Sequence, residues 1–522
     1  MYRIHEIKLR LEESKSAIPD KIKAKLKTQA EITDYKIVKE SIDARDKGDI
    51  KYIYTVDFKV NEEITGLTKA PETSYQYPEK GKAKLKNRPI IAGFGPCGMF
   101  AALLLAEMGY APTVLERGKR IEDRVQDVER FWKDGILDEE SNVQFGEGGA
   151  GTFSDGKLTT GIKDSRIRKV LDELVLAGAD ESILYKQKPH IGTDVLRNVV
   201  KNIREKIIAK GGEILFNTRL DGVTIEEGKL RSLTMSCVDT KNADDTEQCN
   251  TEKRELNADV LILAIGHSAR DTIRALHGEG LLMSQKPFSI GVRVEHTQEL
   301  INNSQYGKNA NKNLPPAEYK LSHRCSNGRG VYTFCMCPGG EVIVASSQAG
   351  GVVTNGMSNN ARDGKYANSA VLVDVKTSDF GSDDPLAGIL FQEKHEKLAY
   401  TNAGEKYQAP HTTWDDFSKE KNSAAPVLNS LPDFAVHNIK EAMPYFARKL
   451  RNFDAPETKI YAVESRSSSP VRIDRNEGFE SNIEGVYPGG EGAGYAGGIM
   501  SAAVDGIKLA EEIIKNFSEV VK

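Results

Sequence analysis

No stretch of this chain stays apolar for the ~18 residues that a membrane-crossing helix needs, so no transmembrane helix and no membrane partner are expected. No basic-then-apolar leader opens it either. MYRIHEIKLR is charged throughout, and a cytoplasmic location is the expectation. Cysteine is scarce. Six among 522 residues (Cys97, Cys237, Cys249, Cys325, Cys335 and Cys337) suit reduced thiols better than a disulfide scaffold. None are spaced as C-x-x-C, so no structural metal is expected. Strong charge of one sign is also missing. The formal net charge of −4 belongs to a soluble globular chain, long enough for about two to four domains. A second convincing G-x-G-x-x-G is absent, so no separate NAD domain is expected.

What is present is one informative unit, Arg88 to Glu116, RPIIAGFGPCGMFAALLLAEMGYAPTVLE. Ile90, Ile91 and Ala92 form a short apolar run suited to a strand buried on both faces. Gly93, Gly95 and Gly98 follow at G-x-G-x-x-G spacing. The first permits a tight turn, the second lets a pyrophosphate approach the backbone, and the third lets helix pack on strand. Pro96 stands where a missing N–H costs a helix nothing. Thr113 to Leu115 make a second buried strand ending in Glu116, placed as an acid that binds an adenosine ribose. Helix N-terminal amides and the dipole would hold the pyrophosphate. The unit reads as a dinucleotide site.

Residues 1–70 read as a separate α+β module with strands at 4–11, 32–42 and 53–60 and a helix at 19–26. Residues 1–88 carry twenty Lys and Arg against fifteen Asp and Glu. That mild basicity has no nucleic-acid motif behind it, so a docking or dimerisation module is favoured and nucleic acid is not an expected partner. Residues 71–87 read as a solvated linker whose lysines share one face if extended. IEDRVQDVERFWKDGIL after Glu116 has helical spacing; its Arg124 would reach a phosphate or make a surface ion pair. FGEGGAGTFSDGKLTT (145–160) packs five glycines into eleven residues, as backbone does when something approaches it closely. Residues 195–208 have a one-faced helical pattern, a hairpin turns at Glu227-Gly228, 239–256 are a polar excursion, and ADVLILAIG (258–266) is a buried strand followed by His267.

These units, with the closing segment GVYPGGEGAGYAGGIMSAAVDG (485–506), follow the order used by flavoproteins of the glutathione-reductase type. Together with SIGVRVEH, TFCMCPGGEV, VVTNGMSNNARDGKYANSA and ESRSSSPVRI they resemble a family of bacterial FAD-dependent dehydrogenases (NAD(FAD)-utilising dehydrogenases) of uncharacterised substrate, over roughly residues 30–522. The resemblance implies FAD. By position it implies that Gly93, Gly95, Pro96 and Gly98 hold the pyrophosphate, Glu116 binds the adenosine ribose with Arg117 beside it, and Leu220 presents backbone to the adenine. It likewise implies that Gly149, Thr152 and Ser154 border the isoalloxazine, that Gly266 lies near it, and that Gly490, Glu491, Gly492 and Ala493 close over ribityl and flavin. Glu491 stands where many relatives of the wider fold carry Asp.

The expected fold is α/β: a Rossmann-type FAD-binding domain (88–275, closed by 481–522), an inserted α+β substrate domain (276–480) and the small N-terminal module. Two arginines with three hydroxyls in ESRSSSPVRI suit an anionic substrate, which makes Arg466 and Arg472 catalytic candidates. His267 is a further candidate, with cofactor packing as its alternative. Arg293, Glu295 and His296 read as a salt-bridged sheet face. Cys335 and Cys337, on one strand face, read as buried structural thiols, with a redox pair as the alternative. The function expected is hydride transfer between flavin N5 and a small, anionic substrate, with NAD(P)H admitted as transient reductant. The alternatives are a flavin-dependent RNA-modifying enzyme and a non-catalytic protein that binds a partner.

Overall fold

The computed structural model describes residues 1–519 apart from positions 63, 65, 72, 73, 239–250 and 309–312. Cys249 and most of the polar excursion after residue 238 lie outside the described residues.

Ile90–Ala92 is the middle strand of a five-stranded parallel sheet, ordered Val486–Pro488, Leu261–Leu263, Ile90–Ala92, Thr113–Leu115, Glu213–Leu215. Alternation divides its side chains between two cores. Ile91, Val114, Ile262 and Tyr487 face the helices Pro96–Glu107, Thr193–Ala209 and Ile499–Asn516. Ile90, Ala92, Leu115, Leu261, Leu263 and Val486 face the three-stranded meander Thr218–Glu226, Lys229–Val238, Thr251–Asn257. Pro96–Glu107 is buried continuously from Cys97 to Ala106 because it is covered on both sides, by the sheet and by Ile499–Asn516. From Ile90–Ala92 the chain adds strands to one side and later returns to the other. The crevice between the carboxyl ends of Ile90–Ala92 and Leu261–Leu263 is therefore the topological switch point, where an α/β sheet holds its ligand.

The second body is a six-stranded antiparallel sheet, ordered Ser322–Arg324, Gly330–Cys337, Tyr366–Val375, Phe288–Thr297, Lys459–Glu464, His411–Thr413. Helix Asp433–Lys449 packs Ile439, Met443 and Phe446 onto it. The N-terminal module is a four-stranded antiparallel sheet with helix Ile18–Leu26 sealing Ile4, Ile7, Val56 and Phe58. Among the described residues no helix is long and apolar enough to cross a membrane.

The expected solvated linker is instead a strap. Tyr75 donates to Glu511 at 2.7 Å, Ala83–Lys84 pairs in parallel with Phe517–Ser518, and Asp259 accepts from the amides of Lys86 and Asn87, both at 2.8 Å. The lysines stay exposed, but the backbone between them is paired with the end of the C-terminal helix at Ile514, with Phe517–Ser518 and with Asp259. Tyr75, a residue a solvated segment has no use for, is one of these ties.

Candidate functional site

A cavity of about 1060 Å³ starts at the switch point and continues to the six-stranded sheet. Its first half is made of backbone. Gly93 turns at φ +98°, and a Cβ there would meet the Ala264 carbonyl oxygen at 2.3 Å. Gly98 touches the Gly93 carbonyl so closely that a Cβ would stand 1.9 Å from it. Neither can carry a side chain. Gly95 differs: its φ is an ordinary −77°, and the nearest heavy atom to a Cβ would be Gly149 Cα at 3.8 Å. That space belongs to the cavity, over the first turn of Pro96–Glu107, where free amides and the helix dipole favour an anion.

Glu116 closes this end. Burial leaves it 5% exposed, and the amides of Phe94, Gly118 and Gly146 donate to it at 2.8, 3.0 and 2.9 Å. A carboxylate accepts about four hydrogen bonds, so it ties the two glycine loops together and keeps capacity for one more donor. Arg117 lies 4.0 Å over the Phe145 ring and pairs with Glu140 and Asp271. Leu220 lines the same end, its carbonyl accepting from Thr272 at 3.0 Å.

The middle of the cavity is bordered by Gly149, Ser154, Gly266, Gly490 and Glu491. Gly266 has φ +73° and open space where a Cβ would be. His267 Nδ1 is 3.3 Å from Glu491, and its Nε2 is buried with no partner. A cradle open at Gly95 and Gly266, with a partnerless ring nitrogen of a lining histidine beside it, fits a polar planar group of dinucleotide size. The sequence-expected Gly98, Thr152, Gly492 and Ala493 stand behind the lining. Thr152 is fully buried with its hydroxyl on the Glu147 carbonyl, Gly492 lies against the Gly266 backbone, and Ala493 is core.

The far half is built from side chains. Arg466 lines it, but its guanidinium is already engaged by Glu396 at 2.8 Å, Ser347 at 2.6 Å and Ser268 at 3.0 Å. Glu396 also receives both terminal nitrogens of the fully buried Arg270. Burial alone would push the Glu396 carboxyl up; Arg270 and Arg466 outweigh it and hold it well below the usual carboxylate range. The result is a buried Arg–Glu–Arg bridge between the first residue of helix Arg270–Gly278, helix Ala387–Asn402 and the loop after Lys459–Glu464. A second buried pair, Arg293–Glu464 at 2.7 Å, stands on the six-stranded sheet, so the expected salt-bridged face exists, with Glu295 on Lys459 and His296 buried on the other side. Lys157 of the glycine loop crosses to the Met336 carbonyl.

Two expectations are corrected. Arg124 reaches no phosphate and makes no surface pair. It is fully buried and its three nitrogens donate to the carbonyls of Asn142, Val143 and Glu147, so it shapes the loop that precedes the cradle. Arg472 is exposed on Val471–Ile473, stacked 5.3 Å from the Tyr495 ring, away from the cavity lining. Glu396 was missed. Its signal was visible: Gln392, His395 and Glu396 put polar groups on the buried face of one helix, at spacing that a core helix avoids unless they are partnered.

Residues 287–467 match the domain family described as "FAD-dependent protein, C-terminal domain-like", which supports FAD as the dinucleotide, and residues 1–59 match a domain of unknown function. An uncharacterized protein of Clostridium beijerinckii is 46% identical over 99% of both chains. Among solved structures the chain is similar to the flavin-dependent brominase Bmp2, at 11% identity over 82% of this chain and 78% of that one, with a TM-score of 0.39. It is also similar to a geranylgeranyl bacteriochlorophyll reductase-like protein of Thermoplasma acidophilum, at 14% identity over 81% and 76% of the two chains, with a TM-score of 0.36.

Proposed function

We propose that this chain, which belongs to one family with the Clostridium beijerinckii protein, is an FAD-dependent oxidoreductase of the cytoplasm acting on a small anionic substrate, with NAD(P)H admitted as reductant. The observation that carries the reading is a single cavity with two unlike halves: a backbone cradle at the switch point and a charged wall on the inserted domain. When bound, FAD supplies hydride acceptance or donation at flavin N5. The chain's own residues do the rest. Gly93, Gly95 and the first turn of Pro96–Glu107 bind the pyrophosphate, and the spare acceptor on Glu116 takes a ribose hydroxyl. His267, oriented through Nδ1 by Glu491, offers Nε2 to the cofactor or to a proton in transit. Behind the lining, Lys286 donates to Ser468 at 2.6 Å, its ammonium disfavoured by burial and by Arg472 and favoured by Glu491.

The test is the visible spectrum of purified protein, with chromatography of any released chromophore. Bands near ~450 nm and released FAD are expected; a colourless chain that also refuses added FAD would end the proposal.

A further inference from the structure

The strand Gly330–Cys337 forms the wall of the cavity that faces the glycine loop. On a regular strand, positions i and i+2 stand ~6.6 Å apart, at the outer limit of the ~4.4–6.8 Å that a disulfide spans. This strand is not regular. Its register against Tyr366–Val375 slips between Phe334 and Cys337, and Cys335 takes φ +44°, a conformation that a residue with a Cβ rarely adopts. The bulge turns the Cys337 thiol back onto Cys335, 3.4 Å from its carbonyl and within hydrogen-bond reach of its sulfur.

Two cations hold the bulge. Arg293 donates to the Cys335 carbonyl at 3.2 Å, and Lys157, from the glycine loop itself, donates to the Met336 carbonyl. Strain at a cavity wall, pinned by one cation of the same sheet and one of the opposing loop, marks a position kept for chemistry. The electrostatics agree. The hydrogen bond from Cys337, against burial and with Arg293 and Lys157 assisting, draws the Cys335 thiol below the ordinary range, while Cys337 is pushed up as the proton holder. Cys97 and Cys325 lack this. Cys97 is packed under Gly490 and pushed up by burial, and Cys325 is pushed up to about 11.

We propose that Cys335 and Cys337 are a redox pair that exchanges two electrons with the flavin across the cavity. The inference rests on the FAD reading above. In the oxidative direction the Cys335 and Cys337 S–H bonds break and one S–S bond forms. The two thiols together lose two electrons and two protons; the electron pair and one proton go to the oxidised flavin, the other proton to solvent. Reduced flavin reverses the step. Fully reduced protein then stores four electrons.

The experiment uses full-length, FAD-loaded protein, oxidised with diamide, freed of it, and titrated anaerobically with dithionite. Wild type is expected to consume four electrons per flavin, and Cys335→Ser and Cys337→Ser two each. Alkylation followed by peptide mass spectrometry is expected to find residues 335 and 337 linked before titration and both alkylated after it. Two electrons per flavin in wild type, with both thiols alkylated in either state, would overturn the pair. If the serine variants do not fold, the alkylation arm on wild type alone decides. A chain that takes up no FAD overturns the reading beneath, and is recognised by its missing visible absorbance before any titration.

Discussion

The two halves of the cavity hold charge by opposite means. The dinucleotide half uses glycines, turn amides and a helix N-terminus, with one carboxylate, Glu116, clamping the loops. The far half uses full charges out of water: Arg270 and Arg466 on Glu396, and Arg293 on Glu464. Backbone dipoles cost little to bury because they are fixed by the fold. Buried side-chain ions hold only as pairs, and each depends on its partner. One half therefore fails by losing space, the other by losing a counter-charge.

The largest break is expected at Glu396→Gln. It leaves Arg270 and Arg466 buried with no anion between them, at about 4 kcal/mol. Denaturant unfolding should show the loss, while the protein that remains folded keeps its flavin colour, since the cradle is untouched. Gly98→Ala should come next, at about 3 kcal/mol, because the new methyl meets the Gly93 carbonyl rather than a yielding side chain; here stability and colour should fall together. Gly95→Ala sharpens the contrast. Its conformation and surroundings admit a methyl, so the melting temperature of the FAD-free protein should stay put, while FAD affinity by fluorescence titration drops about tenfold, or about 1.4 kcal/mol. An unchanged affinity would place the pyrophosphate elsewhere. The smallest effect belongs to Arg472→Ala, exposed and off the lining, at within about 0.5 kcal/mol and with no change in flavin reduction. A large loss of turnover there would restore the role that the structure removes.

The same contrast explains what the sequence could disclose. The G-x-G-x-x-G, Pro96 and Glu116 act within one strand–helix–strand unit, so spacing alone reveals them. The helices at Ile121–Asp134 and Thr193–Ala209 and the turn at Glu227-Gly228 were legible for the same reason. Arg270 and Glu396 are 126 positions apart, and Arg293 and Glu464 are 171. No local pattern pairs them. Arg124 misled because proximity to Glu116 in sequence suggested a ligand, when the loop at 142–147 offered it three carbonyls first. The C-x-C was visible, but the bulge that turns Cys337 back onto Cys335 is held by Arg293 and Lys157 from other segments.

The sheet that carries the cradle is completed by Val486–Pro488 and covered by Ile499–Asn516, whereas its central strand is Ile90–Ala92. A ribosome adding about 5–20 residues per second needs on the order of tens of seconds to pass from one to the other. Throughout that interval Leu261–Leu263, apolar on both faces, is either unmade or an open edge, the kind of surface on which nascent chains stick to one another. Vectorial synthesis thus leaves the nucleotide fold until last, and slower induction at lower temperature, with chaperones in supply, is the condition under which this protein should be recovered intact.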